Sequence, residues 1–360
     1  MKIRENIPLS ELTTMRLGGP ARYVIDIENE SEIPDAYAFA KEHHLPTFIL
    51  GAGANTIAKD EGFNGIILRY IETGITSEQL TGLEGDPQNI CESKFLGEKK
   101  TRQDPLYMIT AKAGEPWDNV VAYACDKDLT GIEALSKIPG LSGSAPVQNI
   151  GAYGQDISAV LDHATAYDTT TEKIVTLSRS DFGFSYRKSI LNSTAKGRYL
   201  ITSITLKLKK DTMSRPFYNS IEQYITDHHE TDFSPAGIRK IVSIIRADKL
   251  PDPATTPSAG SFFKNIYLTA EEAKKAEEKG LPVHHGHDGN KINSGWLIEN
   301  AGLKGKLLHG IRVNAKAALV LINESAKTYQ DLAEARTEII STVKSKYGFT
   351  LEQEPMEIPQ

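Results

Sequence analysis

The sequence predicts an α+β protein in which two α/β modules precede a third domain of different character. Short apolar strands alternate with amphipathic helices up to about residue 212. From about residue 213 the strand alternation gives way to longer helices with one apolar face. A chain of 360 residues is also long enough for about two or three domains.

The first module is a β-α-β-β unit. Residues 21–27 have the composition of a strand, and Ser31 then offers an N-cap for a helix. Apolar residues follow at helical spacing: Ile33, Ala36, Tyr37 and Ala40. Residues 47–50 form a short apolar strand that leads into a glycine-rich turn, and residues 65–70 form the last strand.

The second module begins after a polar, turn-rich stretch at residues 74–105, which we interpret as an insertion or long loop. A strand is predicted at residues 107–113, and Pro116 suits the first turn of a helix. That helix is expected to bury Trp117, Val120, Val121 and Ala124. Further strands are predicted near residues 160–167, 173–177 and 199–208.

The third region starts with a helix at Ser234-Pro235 that ends before Pro251. Its apolar face comprises Ile238, Ile241, Val242 and Ile245. A late helix opens with a capping box of Thr328 and Asp331 and stops at Gly348, before an acidic tail. The predicted domains are therefore 1–72, 73–212 (with 74–105 as insertion or loop), 213–345 and a tail at 346–360 that returns to the active site.

Composition excludes several classes of protein. The net charge of −6 argues against a dedicated nucleic-acid binder. No apolar run reaches the ~18–20 residues of a membrane span, and the N-terminus lacks the apolar core of a signal peptide. Cys91 and Cys125 form no CxxC pair, and His284, His285 and His287 have no recognisable ligand spacing, so no metal site is predicted. We expect a cytoplasmic protein.

Two glycine-rich stretches are candidate ligand-binding loops. Residues 51–55, Gly-Ala-Gly-Ala-Asn, follow a predicted strand and carry no bulky side chain, so their amides could approach a diphosphate. A tight turn is the alternative, since the stretch is not a GxGxxG motif. Residues 138–154 are rich in Gly, Ser, Asn and Gln, which favours a ligand-wrapping loop over an irregular structural one. Together the stretches predict dinucleotide binding.

Three cationic side chains are candidates for binding acidic groups. Arg187 lies among aromatic residues at 182–189, where an arginine stacks on a ring or binds a carboxylate through two hydrogen bonds. A surface arginine with a buried stem is the alternative. Arg246 and Lys249 lie at the end of a predicted helix, where they either stabilise its C-terminus or bind phosphate.

Ser261 raises a separate question, because it stands between polar residues and two phenylalanines in SAGSFFKN (258–265). The GxSxG motif of a hydrolase nucleophile is missing, since Ala259 and Phe263 occupy the glycine positions. A serine hydroxyl in a dry pocket can instead relay or donate a proton.

These motifs jointly resemble one family, the UDP-N-acetylenolpyruvoylglucosamine reductases, also called UDP-N-acetylmuramate dehydrogenases. The resemblance covers nearly the whole chain, in family order. It rests on TTMRLGG (13–19), ILGAGAN (49–55), IPGLSGSAPVQNIGAYG (138–154), FSYRKS (184–189), KLPDP (249–253), SAGSFFKN (258–265), GWLIENAGLKG (295–305) and LEQEP (351–355).

The resemblance implies a two-part FAD-binding domain of the vanillyl-alcohol-oxidase/PCMH flavoprotein type plus a smaller α+β substrate-binding domain. It implies a cytoplasmic flavoenzyme of peptidoglycan precursor synthesis, expected as a monomer without nucleic-acid or membrane partners. NADPH would reduce non-covalently bound FAD, and hydride would pass to C3 of UDP-N-acetylglucosamine enolpyruvate. A proton would then add at C2 to give UDP-N-acetylmuramate.

The resemblance also assigns roles by position. Arg187 is similar to the cation that polarises the substrate carboxylate, Glu354 to its acidic partner, and Ser261 to the proton donor to C2. The implied FAD-binding positions are Gly51, Ala52, Gly53, Ala54, Asn55, Ser142, Gly143, Ser144, Gln148, Asn149, Gly151 and Ala152. The implied substrate-binding positions are Tyr153, Tyr186, Tyr218, Arg246, Lys249 and Asn265. Tyr218 suggests the branch in which a tyrosine loop closes over the sugar nucleotide.

The chain departs from the family pattern at two places. The 74–105 stretch is longer than expected and has no assigned function. Asn314 and Ala317 stand where His and Gln are common in relatives, which puts the detail of the nucleotide subsite in doubt. Alternative functions are another FAD-dependent oxidoreductase of the same flavin fold, acting on a hydroxy acid or sugar, and a non-catalytic nucleotide-binding module.

Overall fold

The computed structural model describes residues 1–80, 105–286 and 289–359. The α-helices are α1 Ile33–Glu42, α2 Trp117–Cys125, α3 Asn219–His228, α4 Pro235–Lys249, α5 Ala270–Glu278, α6 Ser294–Asn300 and α7 Tyr329–Tyr347. The β-strands are β1 Lys2–Pro8, β2 Pro20–Ile27, β3 Thr47–Ile49, β4 Thr56–Ala58, β5 Phe63–Tyr70, β6 Ile75–Gln79, β7 Leu106–Lys112, β8 Leu129–Thr130, β9 Gly151–Ala152, β10 Gln155–Asp156, β11 Leu161–Asp168, β12 Lys173–Ser178, β13 Tyr199–Lys210, β14 Ser258–Ser261, β15 Ile266–Leu268, β16 His284–Gly286, β17 Gly289–Ile292, β18 Leu307–Leu308, β19 Ile311–Val313, β20 Val320–Asn323 and β21 Met356–Ile358.

The chain forms two compact units. Unit 1 comprises Met1–Arg4, Tyr23–Gly51 and Gly65–Arg246, and unit 2 comprises Glu5–Arg22, Ala52–Asn64 and Ala247–Gln360. These two compact units do not test the predicted domain boundaries at residues 72, 212 and 345, which stay a prediction.

Unit 1 is built on a large sheet with strand order β12-β11-β13-β7-β6, in which β8 also pairs with β13. Neighbouring strands of this sheet run antiparallel. A second sheet has the order β1-β2-β5-β3, and its β3 and β5 run parallel. Apolar side chains from these strands, α1 and α2 form one core around Trp117 and Phe182. A smaller cluster joins α3 to α4.

The helix predictions are confirmed by the buried faces of α1, α2 and α4. The Thr328–Asp331 capping box opens α7, and Gly348 ends it with φ 80°. The prediction of Ser31 as N-cap is wrong, since Glu32 holds that position of α1. Ser31 lies instead in a short 3₁₀ turn, where Asn29 Oδ1 accepts a hydrogen bond from its amide (3.1 Å).

The loop interpretation of residues 74–105 is wrong for its first part. Residues 75–79 form β6, which pairs antiparallel with β7 from Ile75↔Ala111 to Gln79↔Tyr107. The pairing gives β7 a hydrogen-bonded neighbour at an edge that would otherwise leave its backbone groups unpaired. Residues 81–104, including Cys91, lie outside the described residues.

Unit 2 contains an antiparallel sheet with strand order β14-β20-β19-β18 and a three-stranded sheet with order β15-β17-β16. β21, near the end of the chain, pairs in parallel with β4 from Met356↔Thr56 to Ile358↔Ala58. The core of this unit includes the fully buried Phe262 and Phe263 and the inner faces of α6 and α7. In the described part of the chain, every helix is too short or too polar to span a bilayer.

Candidate active site

In unit 1, the two glycine-rich loops touch at Gly51 and Ser144. A Cβ added to Gly51 would lie 2.1 Å from Ser144 Oγ, so the two loops are in close contact here and a larger residue would require the Ser144 hydroxyl to move. Two hydrogen bonds attach the second loop to the end of β7, because Gly143 N donates to Ala113 O (3.0 Å) and Ser142 Oγ donates to Lys112 O. The sequence-predicted ligand loops therefore meet at one place.

In unit 2, the remainder of the first loop packs against the chain near residue 13. Gly53 has φ +67°, and a Cβ there would lie 2.1 Å from Leu12 O. Thr14 N donates to Gly53 O (3.2 Å), while Thr14 Oγ1 donates to Ser258 O (2.5 Å). Thr14 thereby ties the glycine turn to β14, the strand that ends at Ser261. We did not predict this role from the sequence, although Thr14 lies in the TTMRLGG motif.

The backbone amides of the glycine turn suit an anionic group. Among the described residues, none accepts a hydrogen bond from the amides of Gly51, Ala52, Gly53 or Ala54. Consecutive amides without a protein acceptor and without bulky side chains are the donor set that diphosphates bind. The turn therefore fits the diphosphate of a dinucleotide such as FAD.

Arg187 lies at the tip of a tight turn in unit 1. Ser185 and Lys188 close the turn through reciprocal backbone hydrogen bonds of 3.0 and 3.1 Å. Arg187 has φ +53°, a left-handed backbone that costs about 1 kcal/mol for a residue with a Cβ. Its Nη2 donates to Gly151 O (2.9 Å), and its guanidinium lies 5.1 Å from the ring centre of Tyr186. Stacking on an aromatic ring is thus confirmed, and the guanidinium is held at the second glycine-rich loop.

Asn149 links this turn to the same loop. Its Oδ1 accepts from Ser158 N (3.0 Å) and its Nδ2 donates to Ser185 O (3.4 Å). It is buried and has φ +48°. The neighbouring Gly151–Ala152 pair forms β9, which pairs with β10. Asn149 therefore fixes the shape of the loop.

Three of the predicted substrate-binding residues gather in unit 1. The rings of Tyr153 and Tyr218 meet edge to face at 5.7 Å. Burial raises the pKa of Tyr153, and a hydrogen bond with the Arg246 guanidinium opposes that rise. Burial lowers the pKa of Arg246, whose Nε also donates to Lys137 O (3.3 Å). Tyr218 is 53% exposed.

In unit 2, backbone hydrogen bonds join the segment that follows Ser261 to the tail segment that contains Glu354. Ser261 is exposed at the end of β14, whereas Phe262 is buried. Glu354 N donates to Phe262 O (2.9 Å), and Lys264 N donates to Glu352 O (2.9 Å). The tail therefore runs alongside the segment that follows Ser261.

The same tail also reaches the glycine turn. Met356 N donates to Asn55 O (3.0 Å), and β21 then pairs with β4. Unit 2 thus brings together the turn, the strand of Ser261 and the segment of Glu354.

Lys249 and Asn265, the other predicted substrate-binding residues, also lie in unit 2. Asn265 Oδ1 accepts from Ser294 N at the start of α6 (3.2 Å). Lys249 is exposed at the end of α4, and its carbonyl accepts from Asn314 Nδ2 (3.2 Å). Asn314, one of the departures from the family pattern, therefore binds the last carbonyl of this helix.

The histidine stretch has local partners. His285 bonds to Asn290 Oδ1 (2.7 Å) and to Glu277 Oε1 (2.8 Å). His287 lies outside the described residues. In the described ranges, no three His, Cys, Asp or Glu side chains are arranged to hold a metal ion.

Comparison with known proteins gives consistent matches. A family model for the C-terminal domain of UDP-N-acetylenolpyruvoylglucosamine reductase matches residues 252–358. The UDP-N-acetylenolpyruvoylglucosamine reductase of Aliivibrio fischeri is 32% identical over 98% of this chain and 94% of its own length. The reductase of the same name from Thermobifida fusca is 33% identical over 98% of this chain and 97% of its own.

A solved structure shows the same fold. The UDP-N-acetylenolpyruvylglucosamine reductase of Thermus caldophilus superposes with a TM-score of 0.64 over 100% of both chains, at 21% sequence identity. The fold class predicted from the sequence is confirmed by this match and by the mixed helices and sheets of both units.

Proposed function

Since this chain belongs to the UDP-N-acetylenolpyruvoylglucosamine reductase family, we propose that it reduces UDP-N-acetylglucosamine enolpyruvate to UDP-N-acetylmuramate with NADPH as the hydride donor. The observation that carries the proposal is the arrangement in unit 2. There, Thr14 and the tail connect the glycine turn, the strand of Ser261 and the segment of Glu354. This product is a precursor of peptidoglycan.

FAD is the cofactor, and when bound it would supply the hydride-transfer chemistry between NADPH and C3 of the enolpyruvyl group. The amides of Gly51, Ala52, Gly53 and Ala54 would bind its diphosphate. Asn55, Ser142, Gly143, Ser144, Gln148, Asn149, Gly151 and Ala152 complete the proposed binding set. The close approach of Gly51 to Ser144 supports this assignment, because it places the two loops of this set side by side.

Arg187 is the proposed electrophilic residue. Addition of hydride to C3 moves negative charge toward C2 and the carboxylate, and a fixed cation stabilises that charge. The guanidinium of Arg187 suits this role because Gly151 O and the Tyr186 ring hold it in one direction. Glu354 is its proposed acidic partner in stabilising the enol form.

Ser261 is the proposed proton donor. After hydride adds at C3, C2 must take a proton, so that the C=C bond becomes a C–C bond while NADPH becomes NADP⁺. An exposed hydroxyl at the end of a well-anchored strand can give that proton. Because Ser261 attacks no carbonyl, it needs no nucleophile elbow.

The remaining residues are proposed to bind the sugar nucleotide. Tyr153, Tyr186 and Asn265 would contact the substrate, and Arg246 and Lys249 would neutralise its diphosphate. The exposure of Tyr218 and its edge-to-face contact with Tyr153 support a role for this tyrosine in closing over the substrate. We further propose that the protein is a cytoplasmic monomer.

An anaerobic two-step experiment tests the proposed function. Purified protein should bind FAD, lose its absorbance near ~450 nm when NADPH is added, and regain it with UDP-N-acetylglucosamine enolpyruvate. A colourless protein that does not take up FAD would favour a non-catalytic nucleotide-binding module.

The second step distinguishes the proposed function from the remaining alternative, another FAD-dependent oxidoreductase of the same fold. Recovery of absorbance with a hydroxy acid or a free sugar derivative as the only electron acceptor, and not with the enolpyruvyl substrate, would indicate another flavin oxidoreductase. The control is reduced enzyme that receives UDP-N-acetylglucosamine without the enolpyruvyl group and should stay bleached.

A further inference from the structure

One side chain of α7 contacts the tail on both sides of Glu354. Arg336 Nη1 donates to Gln353 Oε1, the residue before Glu354, and to Glu357 Oε1 (2.6 Å), three positions after it. Arg336 and Glu357 are only 23% and 26% exposed, so solvent screens their ion pair less than it would on an open surface.

A second set of hydrogen bonds closes this network. Tyr329 Oη, at the start of α7, donates to Glu357 Oε1 (2.6 Å), and Gln353 Nε2 donates to Pro355 O (2.8 Å). Burial acts to raise the pKa of Glu357, but the hydrogen bonds from Tyr329 and Arg336 lower it below its ordinary value. Glu357 is therefore ionised at neutral pH, and its bond to Arg336 is charge-assisted.

Glu354 sits between these two anchor points. Its own amide donates to Phe262 O (2.9 Å), which holds the tail beside the residue that follows Ser261. Backbone bonds hold the positions on either side as well, since Lys264 N donates to Glu352 O and Met356 N donates to Asn55 O. The bonds of Arg336 to Gln353 and Glu357 add side-chain contacts on both sides of Glu354.

We propose that Arg336 is a positioning residue that orients the Glu354 carboxylate toward the reacting substrate through Gln353 and Glu357. This inference rests on the proposed function, because it concerns the residue that acts in the second half-reaction. An error of about 1 Å in the placement of a catalytic group can cost about 100-fold in rate. A lost anchor should therefore slow the second half-reaction.

The test compares Arg336→Gln, Glu354→Gln and the double variant as FAD-loaded full-length enzymes. We expect Arg336→Gln to slow reoxidation by UDP-N-acetylglucosamine enolpyruvate about 10- to 100-fold, with reduction by NADPH unchanged. In the Glu354→Gln background the same substitution should change the reoxidation rate by less than about 2-fold, because residues that act as one unit are not additive.

Two controls separate positioning from general destabilisation. Arg312→Gln removes another arginine–carboxylate pair of unit 2, with Glu324 (2.7 Å), and should leave both half-reactions unchanged. Glu357→Gln keeps the side-chain size but removes the charge, so it should reproduce the slow reoxidation of Arg336→Gln even if that variant folds poorly.

Several outcomes would overturn the inference. These are reoxidation of Arg336→Gln at the wild-type rate, an undiminished effect in the Glu354→Gln background, or an equal loss in both half-reactions. If the wild-type reduced enzyme is not reoxidised by the enolpyruvyl substrate, the proposed function itself fails, whatever the variants do.

Discussion

At the scale of single residues, the exposure of Ser261 follows from its neighbours. Phe262 and Phe263, which directly follow β14, are both fully buried. Gly260 has φ +70°, and the pairing of β14 with β20 shifts register between Ser258 and Ser261. This irregularity ends the strand with Ser261 outward and anchors the following residues in the core of unit 2.

Substitution of Ser261 tests the proton-donor role. In Ser261→Ala, NADPH should still bleach the flavin, because hydride transfer from NADPH needs no proton from this hydroxyl. Reoxidation by the enolpyruvyl substrate should slow about 10²- to 10⁴-fold, measured by anaerobic stopped-flow absorbance. Ser325→Ala, an exposed serine of the same unit, is the control. Fast reoxidation of Ser261→Ala would remove this residue from the mechanism.

Arg187 should affect the same half-reaction for an electrostatic reason. In Arg187→Ala the charge developing on the substrate carboxylate loses its fixed cation, so reoxidation should fall about 10²- to 10³-fold. The FAD content per chain should stay at the wild-type value, read from the absorbance ratio of the purified protein. Arg179→Ala, an exposed arginine of unit 1, should match the wild type. Loss of FAD from Arg187→Ala would contradict the separation of these roles.

Gly53 tests the cofactor loop. Alanine there meets two costs, a left-handed backbone and a Cβ 2.1 Å from Leu12 O, so the turn must move. We expect Gly53→Ala to weaken FAD binding at least about 10-fold in a fluorescence titration. Gly302→Ala is the matched control, because it has φ +79° but no atom within 4 Å of an added Cβ. It should lose about 1 kcal/mol of stability and keep its FAD affinity.

At the scale of elements, α4 is fixed to α2 by one carboxylate. Asp118 accepts from Arg239 Nη1 (2.6 Å) and Nη2 (2.9 Å), and its Oδ1 also accepts from Lys137 N (2.7 Å). Arg246 lies two turns further along α4, and its Nε reaches the carbonyl of the same Lys137. The position of this candidate substrate residue therefore depends on the Asp118 contacts.

The pH dependence of stability should report this anchor. Burial acts to raise the pKa of Asp118, but the hydrogen bonds from Arg239 and Lys137 outweigh it and hold that pKa far below its usual range. The carboxylate therefore contributes stability above about pH 4, and that contribution is lost as the pH falls. Asp118→Asn should lower the free energy of unfolding by about 2 kcal/mol at pH 7. Between pH 7 and pH ~3, the free energy of unfolding should then fall less in this variant than in the wild type.

Urea denaturation at both pH values measures this effect. Asp227→Asn, at an exposed helix position, should leave the free energy of unfolding within about 0.5 kcal/mol of the wild type at pH 7. An Asp118→Asn protein with the same acid sensitivity as the wild type would show that the pair makes no net contribution.

The elements differ in how well the sequence predicts them. The helices α1, α2, α4 and α7 were predictable because their apolar spacing and caps are local. The three-residue strands β4 and β21 were not, because each is too short for a pattern and pairs with a partner nearly a full chain length away. The sequence does not predict β6, because its composition is as polar as that of a loop. Only its pairing with β7 identifies it as a strand.

At the scale of the whole molecule, the candidate site was predictable where chemistry demands particular residue types. The glycine turn, Arg187, Ser261 and Glu354 all lie in motifs. Thr14 also lies in a motif, TTMRLGG, but its contact with Ser258 joins residues 244 positions apart, and the proposed role of Arg336 depends on partners 17 and 21 residues away. A lone polar side chain carries no sequence signal for such contacts.

The complete reaction gives a kinetic prediction. Because hydride reaches the substrate only through FAD, NADP⁺ can leave before the enolpyruvyl substrate binds. We therefore expect NADPH and the enolpyruvyl substrate to occupy the same site one after the other. Initial rates over a matrix of both concentrations should then give parallel double-reciprocal lines, as for a ping-pong mechanism. Enzyme reduced chemically, without NADPH, should be reoxidised by the substrate at the same rate. Intersecting lines would show that both ligands are bound together, and the shared site would be wrong.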